Sequence, residues 1–75
     1  MTTKPGLYRI WLRPGRKAQA QMDPNEVLKQ TSMREFLSKE AAEGFLASEE
    51  ANELRASGIQ AARDYPHESM LWVDL

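Results

Sequence analysis

The sequence predicts an α+β fold: a small antiparallel sheet of two hairpins, ββααββ-like in order, packed on one face by two or three short helices. Three observations predict it. Residues alternate with period two near both ends, in "YRIWLR" at 8–13 and "LWVDL" at 71–75. Helix-capping patterns cluster between those ends. Turn-forming Pro14-Gly15, Gly44, Gly58 and Pro66 punctuate the joins. A chain of 75 residues makes one small domain, 1–75, because a core of this size does not divide further.

In the first strand Tyr8, Ile10 and Leu12 point one way and Arg9, Trp11 and Arg13 the other. Pro14-Gly15 supplies a turn, and "KAQAQM" alternates again. With a two-residue loop each face of such a hairpin mixes polar and apolar groups. With a three-residue loop Leu12 meets Ala18, Ile10 meets Ala20 and Tyr8 meets Met22, giving one apolar face. The three-residue loop is therefore expected, because a one-residue slip moves a whole face. Trp11 then stands on the outer face with Arg9, Arg13 and Lys17.

"DPNE" at 23–26 combines an N-cap aspartate, an N1 proline and a glutamate three residues on, which opens a helix to about Gln30. "SMRE" at 32–35 repeats the capping logic and predicts a second helix carrying Met33, Phe36, Leu37 and Ala41. Glu35 and Lys39 add an i,i+4 pair, and Gly44 is the expected stop. Ser48 caps a third helix, "EEANELRAS", with Glu49 and Glu50 at its positive end and Arg55 near its negative end. Gly58 closes it. One continuous helix over 33–57 would run about 37 Å, too long for so small a domain, so a break is expected. Ile59–Tyr65 and Leu71–Leu75 form the second hairpin around "PHES". Arg63 interrupts the apolar side of its first arm.

The net charge of −1 hides a lopsided layout. Residues 1–17 hold five bases and no acid, whereas 18–75 hold five bases and all eleven acids. That excludes a uniformly basic nucleic-acid binder. The chain has no cysteine, which excludes disulfides and thiolate metal sites. No apolar run approaches the roughly 20 residues of a membrane span. "MTTKPGLY" has no apolar stretch of the kind a secretory signal carries. A soluble, cytoplasmic protein is expected.

Catalytic patterns are missing. Asp64, His67 and Ser69 are the residue types of a hydrolase triad, but they crowd into six positions, whereas triads draw on separate elements. The helical glutamates lack a cation-binding loop, and no glycine-rich phosphate motif occurs. The expectation is a non-enzymatic chain without metal or cofactor.

Trp11 and Trp72 each alternate with residues suited to a core, which puts both on the uncovered side of the sheet near Arg9 and Arg13. Tryptophan and arginine are enriched at binding hot spots. Two interpretations compete: that the rings only shield the sheet, beneath or beside arginine stems, or that the faces are reversed and the tryptophans fill the core. The function expected is protein binding, by a small accessory or inhibitor protein of bacterial or phage type. It would dock on a larger protein with an acidic patch through Arg9, Trp11, Arg13, Arg16, Lys17 and Trp72. Self-association through that face or an exposed edge strand is the variant. A nucleic-acid-binding module using the basic hairpin Arg9–Lys17 is the runner-up.

Overall fold

A computed structural model describes residues 7–75; residues 1–6 of the N-terminal stretch read above for a signal, with Lys4, lie outside them. Along the chain run β1 (Tyr8–Arg13), α1 (Arg16–Gln19), α2 (Pro24–Lys29), β2 (Ser32–Phe36), α3 (Lys39–Leu46), α4 (Glu49–Ala56), β3 (Gln60–Asp64) and β4 (Trp72–Asp74). The four strands form one open antiparallel sheet in the order β2-β1-β3-β4. The protein is thus an α+β domain, as the alternation at both ends and the caps between them predict.

The central strand is β1, and its alternation sorts the sheet into two faces. Ile10 is fully buried and Leu12 nearly so. They pack with Ala61 and Tyr65 of the β3 side and with Ala42 and Leu46 of α3. Tyr8, Phe36, Phe45, Leu54, Ile59 and Leu75 close the rim of this core. The segment α3–α4 carries the chain from β2 to β3, two parallel strands separated by β1, and lies against the apolar face. The molecule is 17 Å across its thinnest direction. That is room for a helix layer on a sheet, given spacings of about 10 Å between packed layers.

Two of the expected elements do not form. "KAQAQM" does not pair with β1. Residues 16–19 turn into α1, with the Gln19 and Ala20 amides donating to the Gly15 and Arg16 carbonyls at 2.9 and 3.0 Å. Both edges of β1 are already taken: Tyr8 meets Phe36 and Trp11 meets Met33 on one side, and Leu12 meets Ala61 on the other. The Tyr8–Phe36 and Trp11–Met33 pairs hold the β2 side, and with β3 on the other side no edge of β1 is left for "KAQAQM". The helix expected from Met33 is likewise the strand β2. Its true start lies later, where the Ser38 hydroxyl accepts from the Ala41 amide at 3.1 Å. Glu35 accordingly pairs with Arg9 at 2.9 Å and not with Lys39.

The other N-caps form where the sequence puts them. Asp23 accepts from the Glu26 amide at 3.0 Å with Pro24 behind it. Ser48 accepts from the Ala51 amide at 3.3 Å. Gly44 does not stop α3, which runs on to Leu46. Burial of Leu46 and packing of Phe45 outweigh the roughly 1 kcal/mol that a mid-helix glycine costs. The helical region is therefore broken, as its length requires, but at Ala47-Ser48.

Two glycines are needed for backbone reasons. Gly58 ends α4 with φ of 76°, a conformation that glycine adopts freely. A Cβ on Gly15 would lie 1.7 Å from the Gly58 carbonyl oxygen, so these two segments pass each other with no room for a side chain.

Candidate functional site: the open sheet face

Cross-strand register builds the face opposite α3 and α4 row by row. Met33, Trp11, Ala62 and Trp72 stand side by side on β2, β1, β3 and β4. Glu35, Arg9 and Asp64 form the row on one side. Arg13, Gln60 and Asp74 form the row on the other. An apolar stripe therefore crosses the sheet between two polar stripes.

The polar groups of this face satisfy one another laterally. Arg9 Nε donates to Glu35 Oε2 at 2.9 Å. Trp11 Nε1 donates to Asp64 Oδ2 at 3.1 Å. Arg13 Nε donates to Gln60 Oε1 at 2.9 Å, and Gln60 Nε2 donates to Asp74 Oδ1 at 3.1 Å. The Arg13 guanidinium also lies 4.1 Å from the centre of the Trp72 ring, a cation–π contact. Both tryptophans are half-buried, and Ala62 between them is only 1% exposed. Their rings cover the small side chain that separates them.

Trp11 and Trp72 thus share the outer face, although the hairpin used to argue for it does not form. The alternation of β1 decides the side whichever strand pairs with it. The expected basic character of the face is not found. Arg9 and Arg13 share it with Glu35, Asp64 and Asp74, because "SMREF" contributes a strand with an acid directly beside Arg9. Arg13 is the face cation that has no carboxylate within ion-pair distance among the described residues.

Arg16 and Lys17 are elsewhere. Carried on α1, they line a groove of about 620 Å³ at the end of the sheet, with Arg55, Gly58, Ile59 and Asp74. None of Arg16, Lys17 and Arg55 has a carboxylate partner among the described residues. The single basic hairpin of the sequence reading is therefore two places: Arg9 and Arg13 beside the tryptophans, Arg16 and Lys17 at the sheet end. Met33, Gln60, Ala62 and Asp64 were missed as residues of the face. Only strand register reveals them, and register depends on which strands neighbour β1.

A third polar cluster ties α3 to the sheet. Arg63 donates through Nε and its terminal nitrogen to both Glu43 oxygens, at 2.7 and 3.1 Å. The Tyr65 hydroxyl donates to the same carboxylate. Hydrogen bonds from Arg63 and then Tyr65 hold Glu43 down at about 2. Burial first, and the bond to Glu43 second, push Tyr65 up to about 12. This pairing explains the arginine that interrupts the apolar side of β3. Its guanidinium leaves the core at the side and meets α3.

Asp64, His67 and Ser69 do not assemble. Asp64 turns to Trp11, and His67 is exposed in the turn with φ of 63°. Among the described residues no group of three His, Cys, Asp or Glu side chains is placed to hold a metal ion. Nor is any helix among them long and apolar enough to cross a membrane. Comparison of the chain with protein-family models, curated proteins and solved structures gives no match.

Proposed function

We propose that the protein is a non-enzymatic binding module, a cytoplasmic accessory or inhibitor protein that docks on a larger protein through the open sheet face. The observation that carries this reading is the Met33–Trp11–Ala62–Trp72 stripe, uncovered by α3 and α4 and bordered by hydrogen-bonded polar rows. An apolar centre with a polar rim is the anatomy of a protein interface, and tryptophan with arginine at its centre is hot-spot chemistry. The partner presents an apolar projection with an acidic group at its border, which Arg13 meets. Trp11→Ala and Trp72→Ala each remove partner binding while the circular dichroism spectrum persists. Wild-type retention of a co-purifying partner by both folded variants would refute this reading.

The second reading rests on the groove. Three cations without carboxylate partners among the described residues line it beside Asp74, which favours a nucleic-acid strand as occupant. It predicts binding of mixed-sequence DNA or RNA that falls steeply with salt, with a shallower slope in Lys17→Gln. Absence of a gel shift at low salt removes it.

A further inference from the structure

The two edges of the sheet are unlike. The β2 edge carries charge: Arg34 pairs with Glu50 at 2.8 Å and Glu35 with Arg9. Charged side chains of this kind protect an edge from adding further strands. The β4 edge has Leu71 73%, Met70 46% and Val73 40% exposed, with Asp74 as its one charge. It is mostly apolar and, among the described residues, unprotected.

Hydrogen bonding fixes which backbone groups that edge offers. The Leu75 amide donates to the Ile59 carbonyl at 3.1 Å. Alternation along an antiparallel pair then turns Val73 inward, towards β3, and leaves the N–H and C=O of Trp72 and Asp74 facing outward. From this we infer that β4 pairs antiparallel with β4 of a second copy about a twofold axis at Val73, joining two four-stranded sheets into one of eight.

The register follows from three constraints. A twofold axis normal to the sheet keeps like faces together, so opposed residues must belong to the same face. Centring on Asp74 would set two carboxylates against each other, and like charges directly opposite destabilise a pair. Centring on Trp72 would set Leu75 against the polar Ser69 of the second copy. Centring on Val73 instead places Val73 against Val73 and Leu71 against Leu75 in both directions, an unbroken apolar ladder on the helix side. On the other side Trp72 stands beside Asp74 of the second copy, and the outward amides and carbonyls of both residues are paired. A second copy is favoured over a foreign strand because this edge complements itself residue by residue.

The inference stands on the edge and not on the open face, so its test is separate from that of the proposed function. The protein has no cysteine, which makes cross-linking clean. Residues opposed at a non-hydrogen-bonded position have Cα atoms about 4.5 Å apart, within disulfide reach. Under mild oxidation Val73→Cys gives a disulfide-linked dimer, whereas Leu71→Cys alone does not and cross-links only when mixed with Leu75→Cys. Sedimentation velocity shows a concentration-dependent dimer for wild type and for Trp11→Ala, and its loss in Val73→Arg. Val73 is a surface position, so that variant keeps its fold, which circular dichroism checks. A wild-type chain that sediments as a monomer from micromolar to millimolar concentration overturns the inference. So does cross-linking of Leu71→Cys as fast as Val73→Cys.

Discussion

The two faces of this sheet are built from the same strands and solve opposite problems. On the covered face Ile10, Leu12 and Ala61 have nothing polar to offer, and α3 with α4 removes them from water. On the open face Arg9, Trp11, Arg13, Gln60, Asp64 and Asp74 find partners sideways, on neighbouring strands, and only the buried Gln60 among these six also accepts from a helix, from Gln19 of α1 at 3.3 Å. No buried side-chain nitrogen or oxygen among the described residues lacks a hydrogen-bond partner. The comparison shows that a sheet face can stay uncovered without a second layer when its polar groups satisfy each other laterally. What it then leaves to the surroundings is the apolar stripe between the polar rows.

That contrast can be broken by substitution, and the effects should rank by face. Ile10→Ala removes a fully buried side chain and is expected to cost about 2–5 kcal/mol, read by urea unfolding. For a domain this small, that approaches the whole stability. Gly15→Ala comes next, because its Cβ meets the Gly58 carbonyl and overpacking of this kind costs about 1–3 kcal/mol. A wild-type midpoint for Gly15→Ala would mean that the sheet end is looser than the close approach implies.

Smaller again is the tie between helix layer and sheet. Glu43 has its pKa lowered from 4.5 to about 2 in the folded protein. A depressed carboxyl contributes stability that is present above its unfolded value and is lost as pH falls through its folded value. Wild type should therefore lose that contribution between about pH 4.5 and pH 2. Glu43→Gln should show a flatter profile across that window. At neutral pH the half-exposed pair is worth about 1 kcal/mol or less. Tyr65 works in the other direction: its contribution holds below about pH 10 and is lost towards pH 12. Equal acid sensitivity of wild type and Glu43→Gln would show that the cluster does not tie α3 to β3.

Much of this was legible in the residues, and the failures share a cause. Strands β1, β3 and β4 and the caps at Asp23 and Ser48 depend on local pattern and near-neighbour hydrogen bonds, which sequence carries directly. The side on which Trp11 and Trp72 stand follows from alternation alone. By contrast "KAQAQM" and "SMREF" are locally ambiguous. The first alternates yet becomes α1, and the second carries a capping pattern yet becomes β2. Competition for the two edges of β1 decided both, and that competition is not local. The charge of the candidate face was misread for the same reason, since Glu35 and Asp64 reach it only through register.

The central claim is that both tryptophans belong to the open face and neither to the core. Acrylamide quenching of tryptophan fluorescence in the dilute, folded protein tests it most directly. Two half-buried rings on the open face predict quenching of both residues, with Trp11→Phe and Trp72→Phe each removing one quenchable component. Strongly blue-shifted emission that resists acrylamide until the chain unfolds would place the rings in the interior and contradict the account.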